Sequence, residues 1–511
     1  MNIPEYLDLN KLASRFPKDF TPDETAKAQT VFLKRLSLAM HEFYGGKMIT
    51  IPKAGIYGLG WFGVWYTPGV SAISTAIRDN NLRSYDLSNR SNLVAIVSDS
   101  SRVLGDGDCT PSGGLGVMEG KALLMYYLGG VNAIALCINS SPNPGSHKPD
   151  FKHDITSSHR DQSAEKIIDF VHMLAPSVGA VNLEDIAQPA CFQVLDNLQD
   201  CGIPVWHDDA QGTACVTLAG MINALKLAGK EWRKTKAVFL GAGASNATIV
   251  RLLLAEGLDP RNVIVFDSKG GLHSGRDDVQ KDVRFYRKWE LCQTTNPQKV
   301  DKIEDAILGA DVLCALSRSG PGGVKKEWIS AMAEKAIVFA CANPVPEIYP
   351  HEAKAAGAWV IATGRSDFPN QVNNSLCFPG LLKGALLVRA SKVTDTMAMA
   401  AAHSIARTQQ KIGLDTEHIM PTMEDVQVFA QEAADVAAQA IQDGVAQWRL
   451  YPNEVLRRAQ KDIDQARGLV TLLMESGIVK PPPPAMLDKV LADTVDEIKG
   501  RAPVTEGIAD E

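Results

Sequence analysis

The sequence predicts an α/β protein, and three observations lead there. Short apolar runs alternate with helical stretches through the second half, in KAVFL, NVIVFD, ADVLCAL, AIVFACANP and AWVIATG. The segment KAVFLGAGASNATIVRLLLAEG at 236–257, followed by NVIVFD, reads as strand, glycine turn, helix and strand, the pattern of a Rossmann-type dinucleotide domain. Earlier strands such as NLVAIVS and SVGAVNL run into polar loops, so an α/β catalytic domain precedes it, and a helical C-terminal extension follows. The expected boundaries are 1–165 for the first domain, 166–390 for a dinucleotide-binding domain that also carries a cation site, and 391–511 for the helical region and tail.

The cation site is read from residues 181–213. SVGAVNL runs into Glu184 and Asp185, after which Pro189 opens a helix. GIPVW runs into His207, Asp208 and Asp209, and Gly212 releases the chain into another helix. Four carboxylates thus leave the carboxyl ends of two strands, where open α/β sheets place ligands. Like charges so close raise one another's proton affinity unless a cation neutralises them. An all-oxygen set suits Mg²⁺ or Mn²⁺ better than zinc.

Composition excludes several other classes. The chain has 511 residues, 45% hydrophobic and 22% charged, an ordinary globular balance with room for two or three domains. A net charge of -7 with no long basic run gives no reason to expect nucleic acid or an anionic membrane as partner. The nine scattered cysteines, never spaced C-x-x-C, suit a reducing cytoplasm without a disulfide framework or a zinc site. The N-terminus lacks a signal-peptide pattern. The apolar run at 122–139 is split by Gly129 and Gly130, so it reads as a helix end and a buried strand rather than a membrane span.

Along the first half, a helix is expected over 21–44 from Thr21, and another from Val70 after the turn Pro68-Gly69. Tyr66 lies on the loop before that second helix, where a phenol can face a cleft. The strand NLVAIVSDSS leads to Arg102 and a glycine-rich loop that ends in Lys121 just before a helix. The span 141–161 reads as a polar connection. In the dinucleotide segment Gly241, Gly243, Ala244 and Ser245 form the turn, Asn246 stands where a third glycine is usual, and Asp267 ends the second strand at the ribose position. Asn343, Asn373 and Asn374 leave later strands, as amides able to donate to a carboxylate or as plain turn residues.

Taken in order, YTPGV at 66–70, VMEGKA at 117–122, NLEDI at 182–186, HDDAQGTA at 207–214, the glycine turn, ANP at 342–344, ATGRSDFPNQVNN at 362–374 and GLLKGALLVRA resemble malic enzymes of bacterial type over roughly residues 20–446. The resemblance implies oxidation of L-malate with NAD(P)⁺ and decarboxylation to pyruvate and CO₂, dependent on Mg²⁺ or Mn²⁺. It casts Glu184, Asp185 and Asp209 as metal ligands, Lys121 as general base assisted by Asp208, and Tyr66 as the acid that protonates C3. Arg102, Asn343 and Asn374 resemble the groups that hold substrate carboxylates, with Asn343 also beside the cofactor. GWFGVW and DGDCTPSGG depart from the usual family segments and bear on whether malate or a related 2-hydroxy acid is the substrate. Two alternatives are a malolactic or oxaloacetate-decarboxylating relative without net redox, and an inactive dinucleotide-binding protein. Retention of Tyr66, Lys121 and all four carboxylates argues against the second.

The cofactor choice stays divided between NAD and NADP. Asp267 suits a free 2′-hydroxyl, whereas Lys269, Arg276, Lys281, Arg284, Arg287 and Lys288 offer cations to a 2′-phosphate. After the proline run at 481–484, Leu487, Val490, Leu491, Val495 and Ile498 fall on one helical face. That face is expected to dock on a neighbouring subunit of a homo-oligomer, with docking on its own chain as the alternative and disorder from Arg501 onward.

Overall fold

The structure is a computed structural model that describes residues 4–103, 106–140 and 163–500. The calls on 141–161 and on the chain from Arg501 fall outside the described residues. Two compact units are formed, one from residues 51–466 and one from 1–50 with 467–511.

The larger unit is built on two sheets. The first has the order β2-β1-β3-β4, with β1 Leu93–Ser98, β2 Asn132–Cys137, β3 Ala180–Leu183 and β4 Val205–His207, every pair parallel. β1 and β3 are central and almost entirely buried because helices cover both faces, the usual burial of a parallel sheet. β2 is an edge strand and only half-buried, so the apolar run at 122–139 is indeed a helix, Leu115–Gly129, followed by a strand, although less deeply set than expected. Gly130, with φ of 60°, makes the turn between them.

The second sheet has the order β10-β9-β8-β5-β6-β7, with β5 Ala237–Leu240, β6 Val263–Asp267, β7 Gly270–Gly271, β8 Val312–Ala315, β9 Ala336–Ala340 and β10 Ala358–Thr363. All pairs are parallel except the short β6–β7 ribbon. Strand order reverses around β5, where the glycine turn leads into the helix Ala244–Glu256. The expected boundary at 165/166 needs correcting: β3 and β4, with the acidic exits, complete the first sheet instead of joining the dinucleotide sheet. Proximity in sequence suggested otherwise, but parallel pairing of β3 to β1 joins residues nearly ninety positions apart.

Three helices, Phe378–Leu387, Asp395–Ile412 and Gln427–Gln442, close the unit, the last two burying alanine-rich faces. Thr422 and Asp425 bond each other in the turn just ahead of the helix Gln427–Gln442. Lys383, almost fully buried, donates to Asn92 at 3.0 Å and to Asp462 at 2.5 Å, tying the first of these helices to its surroundings.

In the smaller unit the helix Pro22–Tyr44 starts at the predicted place, with Thr21 and Glu24 forming a reciprocal capping box. Its Phe32 and Leu36 pack with Leu487 and Val490 of the helix Pro484–Ile498. The tail's apolar face is therefore covered by its own chain, which corrects the expected docking on a neighbouring subunit. A marginal helix takes the nearest apolar surface, and the amphipathic N-terminal helix offers one.

Candidate active site

Because β1, β3 and β4 are parallel, the loops after them emerge at one edge of the first sheet, and they bring the acidic residues together. Oxygens of Glu184, Asp185 and Asp209 lie within 4.8 Å of one another. The backbone N–H of Asp185 donates to Asp209 Oδ2 at 2.7 Å, and Asn182 Nδ2 donates to Glu184 Oε2 at 3.0 Å. Asp185 adopts a left-handed φ of 52°, a strained setting for a residue with a Cβ and typical of ligand-holding sites.

Lys121 reaches this cluster from the helix Leu115–Gly129 and is only 8% exposed. Its Nζ lies 3.1 Å from Glu184 Oε1, donates to Asp208 Oδ2, and sits 4.5 Å from the centre of the Phe378 ring. Asp208 is held in place by Trp206 Nε1 at 3.1 Å. A Cβ at Gly212 would collide with the Asp208 carboxylate and come within 3.2 Å of Asn374 Cβ, so only glycine lets the loops approach.

The electrostatics of the cluster follow from burial. Burial raises the Glu184 carboxyl well above the usual range, and repulsion from Asp209 adds to it. Asp208 is raised by burial, with Lys121 opposing. Burial alone would depress Lys121, yet Asp208, Glu184 and Asp209 together lift it, so without added positive charge the lysine stays protonated. The three-carboxylate oxygen set fits a hard divalent cation, which would relieve the repulsion and release the lysine from its surplus of negative partners.

The dinucleotide turn faces the same cluster. Ser245 Oγ donates to the Asp209 carbonyl at 2.9 Å, and Gln188 Nε2 to that of Ala242 at 3.3 Å. Gly241 has φ of 97°, and a Cβ there would meet the Leu316 carbonyl. Asn246, where a third glycine is usual, donates to the carbonyls of Leu240 and Gly241 at 2.9 and 2.8 Å and so fastens the turn from beneath. Asp267 accepts from Arg276 Nη1 and Nη2 at 3.0 and 2.9 Å and pairs with Lys288. Burial would raise this carboxyl, but Arg276 and Lys288 pull it down to about 2. Among the other expected cations, Arg284 and Arg287 pair with Asp282 and Asp196.

The remaining expected residues are placed unevenly. Arg102 is exposed at the rim, its N–H donating to the Asp185 carbonyl at 3.1 Å. Asn343 is exposed after β9, close enough to Gly364 that a Cβ there would lie 3.0 Å from its Oδ1. Tyr66, on the turn before the helix Val70–Asp79, is 71% exposed. Sequence reasoning missed Asn182, Trp206, Phe378 and Glu347. Asn182 and Trp206 carry a readable signal, since each precedes an acidic exit by two residues and so points to the same face of its strand. Glu347 bridges two loops, accepting from the N–H groups of Ser317 and Ala342 at 3.0 Å each.

Comparison with known proteins is decisive on kinship. A sequence model of the malic enzyme N-terminal domain matches residues 60–199, and one of the malic enzyme NAD binding domain matches residues 210–441. The chain belongs to the malic enzyme family. The bifunctional malic/malolactic enzyme of Bacillus subtilis is 38% identical over 431 residues, 84% of this chain and 98% of that protein. The NAD-dependent malic enzyme of Geobacillus stearothermophilus is 39% identical, covering 79% and 78% of the two chains. The crystal structure of the Entamoeba histolytica malic enzyme superposes with a TM-score of 0.91 at 52% identity, covering 96% of this chain and 99% of that one. Within the family, the parallel sheet that carries the acidic exits belongs largely to the N-terminal domain, as the topology had indicated.

Proposed function

We propose that this malic enzyme oxidises L-malate at C2 with NAD(P)⁺ and then loses CO₂ from C4, giving pyruvate. The observation that carries the reading is the burial of Lys121 against Asp208 and Glu184, beside three carboxylates and beneath the dinucleotide turn. Lys121 accepts the C2 hydroxyl proton, with Asp208 as its relay, while the hydride from C2 passes to the nicotinamide. When C4 leaves as CO₂, the electron pair moves to C3, and Tyr66 supplies the proton there. Glu184, Asp185 and Asp209 would hold Mg²⁺ or Mn²⁺, whose charge makes the hydroxyl more acidic. Arg102, Asn343 and Asn374 are assigned to the substrate carboxylates, and Gly241, Gly243, Ala244, Ser245 and Asp267 to the dinucleotide. Asn246 acts by fastening that turn.

We read the enzyme as a cytoplasmic homo-oligomer. All nine cysteines are free thiols, and no helix among the described residues is long and apolar enough to cross a membrane. A second reading, conversion of malate to lactate without net cofactor reduction, is favoured only by the name of the Bacillus subtilis relative. Assaying malate with Mn²⁺ and either cofactor separates the two: NAD(P)H formed in step with pyruvate supports the first reading, and lactate without NAD(P)H supports the second.

A further inference from the structure

Ser100 and Asp185 both hold left-handed backbones, with φ of 56° and 52°. The first lies just past β1 in the turn that leads to Arg102; the second lies past β3 and belongs to the three-carboxylate cluster. Such settings cost energy in residues with a Cβ and persist only where the surroundings hold them. Two hydrogen bonds join the loops. The N–H of Arg102 donates to the Asp185 carbonyl at 3.1 Å, and the N–H of Ala187 donates to Ser101 Oγ at 2.9 Å. Since the N–H of Asp185 also donates to Asp209 Oδ2 at 2.7 Å, the strained residue is gripped from both sides.

Asp99 anchors this arrangement. It is fully buried at the end of β1 and accepts through Oδ1 from the N–H and the hydroxyl of Ser101, at 3.2 and 2.5 Å. Through Oδ2 it accepts from the hydroxyl of Ser140, beyond β2, at 2.7 Å. A serine hydroxyl has one proton to give. With that proton committed to Asp99, the lone pairs of Ser101 Oγ are left to receive Ala187, so the carboxylate orients the hydroxyl that holds the β3 exit. The Ser100 carbonyl meanwhile accepts from the N–H of Cys109 at 3.1 Å, which secures the chain that runs on to the helix of Lys121.

We propose that Asp99 and Ser101 are positioning residues that set the loop of Arg102 against the loop of Asp185. The first loop carries a group assigned to a substrate carboxylate and the second a group assigned to the cation, and a 2-hydroxy acid has to span the two. Neither Asp99 nor Ser101 is assigned to substrate or cation; both act through the backbone of the residues that are. An ordinary polar core network would close within the sheet. This one runs outward, from the three strand exits to the two strained residues and to Arg102. The inference rests on the malate reading for its substrate and on the carboxylate cluster for its cation.

Ser101→Ala removes the hydroxyl and leaves the Ala187 N–H without its acceptor. It is expected to raise the Mn²⁺ concentration for half-saturation in calorimetric titration about 10-fold, the usual effect of losing a partner that orients a metal ligand. KM for malate is expected to rise by a similar factor with a smaller fall in kcat, while KM for the dinucleotide stays near the wild-type value. Asp99→Leu keeps the side chain's shape without an acceptor and is expected to reproduce these effects. Asp99→Asn keeps an oxygen towards Ser101 and turns an amide towards the Ser140 hydroxyl, so it is expected to restore both values.

A network that serves only the fold would lower the melting temperature and leave Mn²⁺ affinity and KM for malate unchanged. That result in Ser101→Ala would overturn the proposal, whether or not Asp99→Leu folds. So would an Asp99→Asn no better than Asp99→Leu, since the assigned role is acceptance of hydrogen bonds. The Mn²⁺ titration needs no substrate, so failure of the malate reading alone leaves it standing as the test.

Discussion

Nζ of Lys121 lies 3.1 Å from Oε1 of Glu184, in a pocket where the lysine also pairs with Asp208. One ammonium among so many buried carboxylates is at once a catalytic and a structural group. Lys121→Met is expected to lower malate oxidation by about 10²–10⁴-fold, the usual contribution of a general base and its relay. It also leaves Asp208 and Glu184 buried without their counter-charge, so its melting temperature falls and is partly regained with Mn²⁺. Near-native turnover would remove the assignment. Unchanged melting would show that the pair contributes little to folding.

The three-oxygen cluster makes a metal prediction with two readouts. Asp209→Asn and Glu184→Gln are expected to raise the Mn²⁺ concentration needed both for activity and for half-saturation in calorimetric titration, since each removes a full charge from the set. Identical titrations in wild type and both variants would place the cation elsewhere.

Cofactor choice turns on Arg276, which grips Asp267 with two nitrogens at 3.0 and 2.9 Å. Arg276→Ala leaves the carboxylate with Lys288 alone and makes the pocket more negative. The expected result is a larger loss of kcat/KM for NADP⁺ than for NAD⁺, because the 2′-phosphate then meets less balanced negative charge. An unchanged ratio between the two would put discrimination at other residues.

Glu432 gives a pH prediction for stability. It is fully buried beside the Cys215 and Cys377 thiols, and burial pushes its carboxyl well above the ordinary range. The folded state therefore holds a proton that the unfolded chain releases near the ordinary carboxyl value, so this group's contribution to stability falls as pH rises above that value. Glu432→Gln is expected to flatten the decline of melting temperature with rising pH. Parallel curves for variant and wild type would contradict the assigned protonation. The same carboxyl leaves no room at Gly380, where a Cβ would overlap it, so Gly380→Ala is expected to destabilise by about 1–3 kcal/mol in chemical denaturation.

Much of this architecture was legible in the chain. The alternating strands, the glycine turn, the helix start at Thr21 and the joining of Glu184, Asp185, Asp208, Asp209 and Lys121 were all readable from local patterns. What was misread depends on distant pairing. The place of β3 and β4 in the first sheet is set by contacts with β1, and the covering of Leu487 and Val490 by Phe32 and Leu36 joins opposite ends of the chain. Glu347 looks like an ordinary loop acid until the folded structure brings two N–H groups to it. Tyr66 reads in sequence as a cleft residue, yet the fold leaves it 71% exposed.

The most direct test of the account follows malate turnover by purified wild-type enzyme with Mn²⁺, recording absorbance at 340 nm and pyruvate together. The account predicts one NAD(P)H per pyruvate, abolished by chelation and by Lys121→Met. Binding of the dinucleotide with no malate-dependent reduction under any metal condition would contradict it.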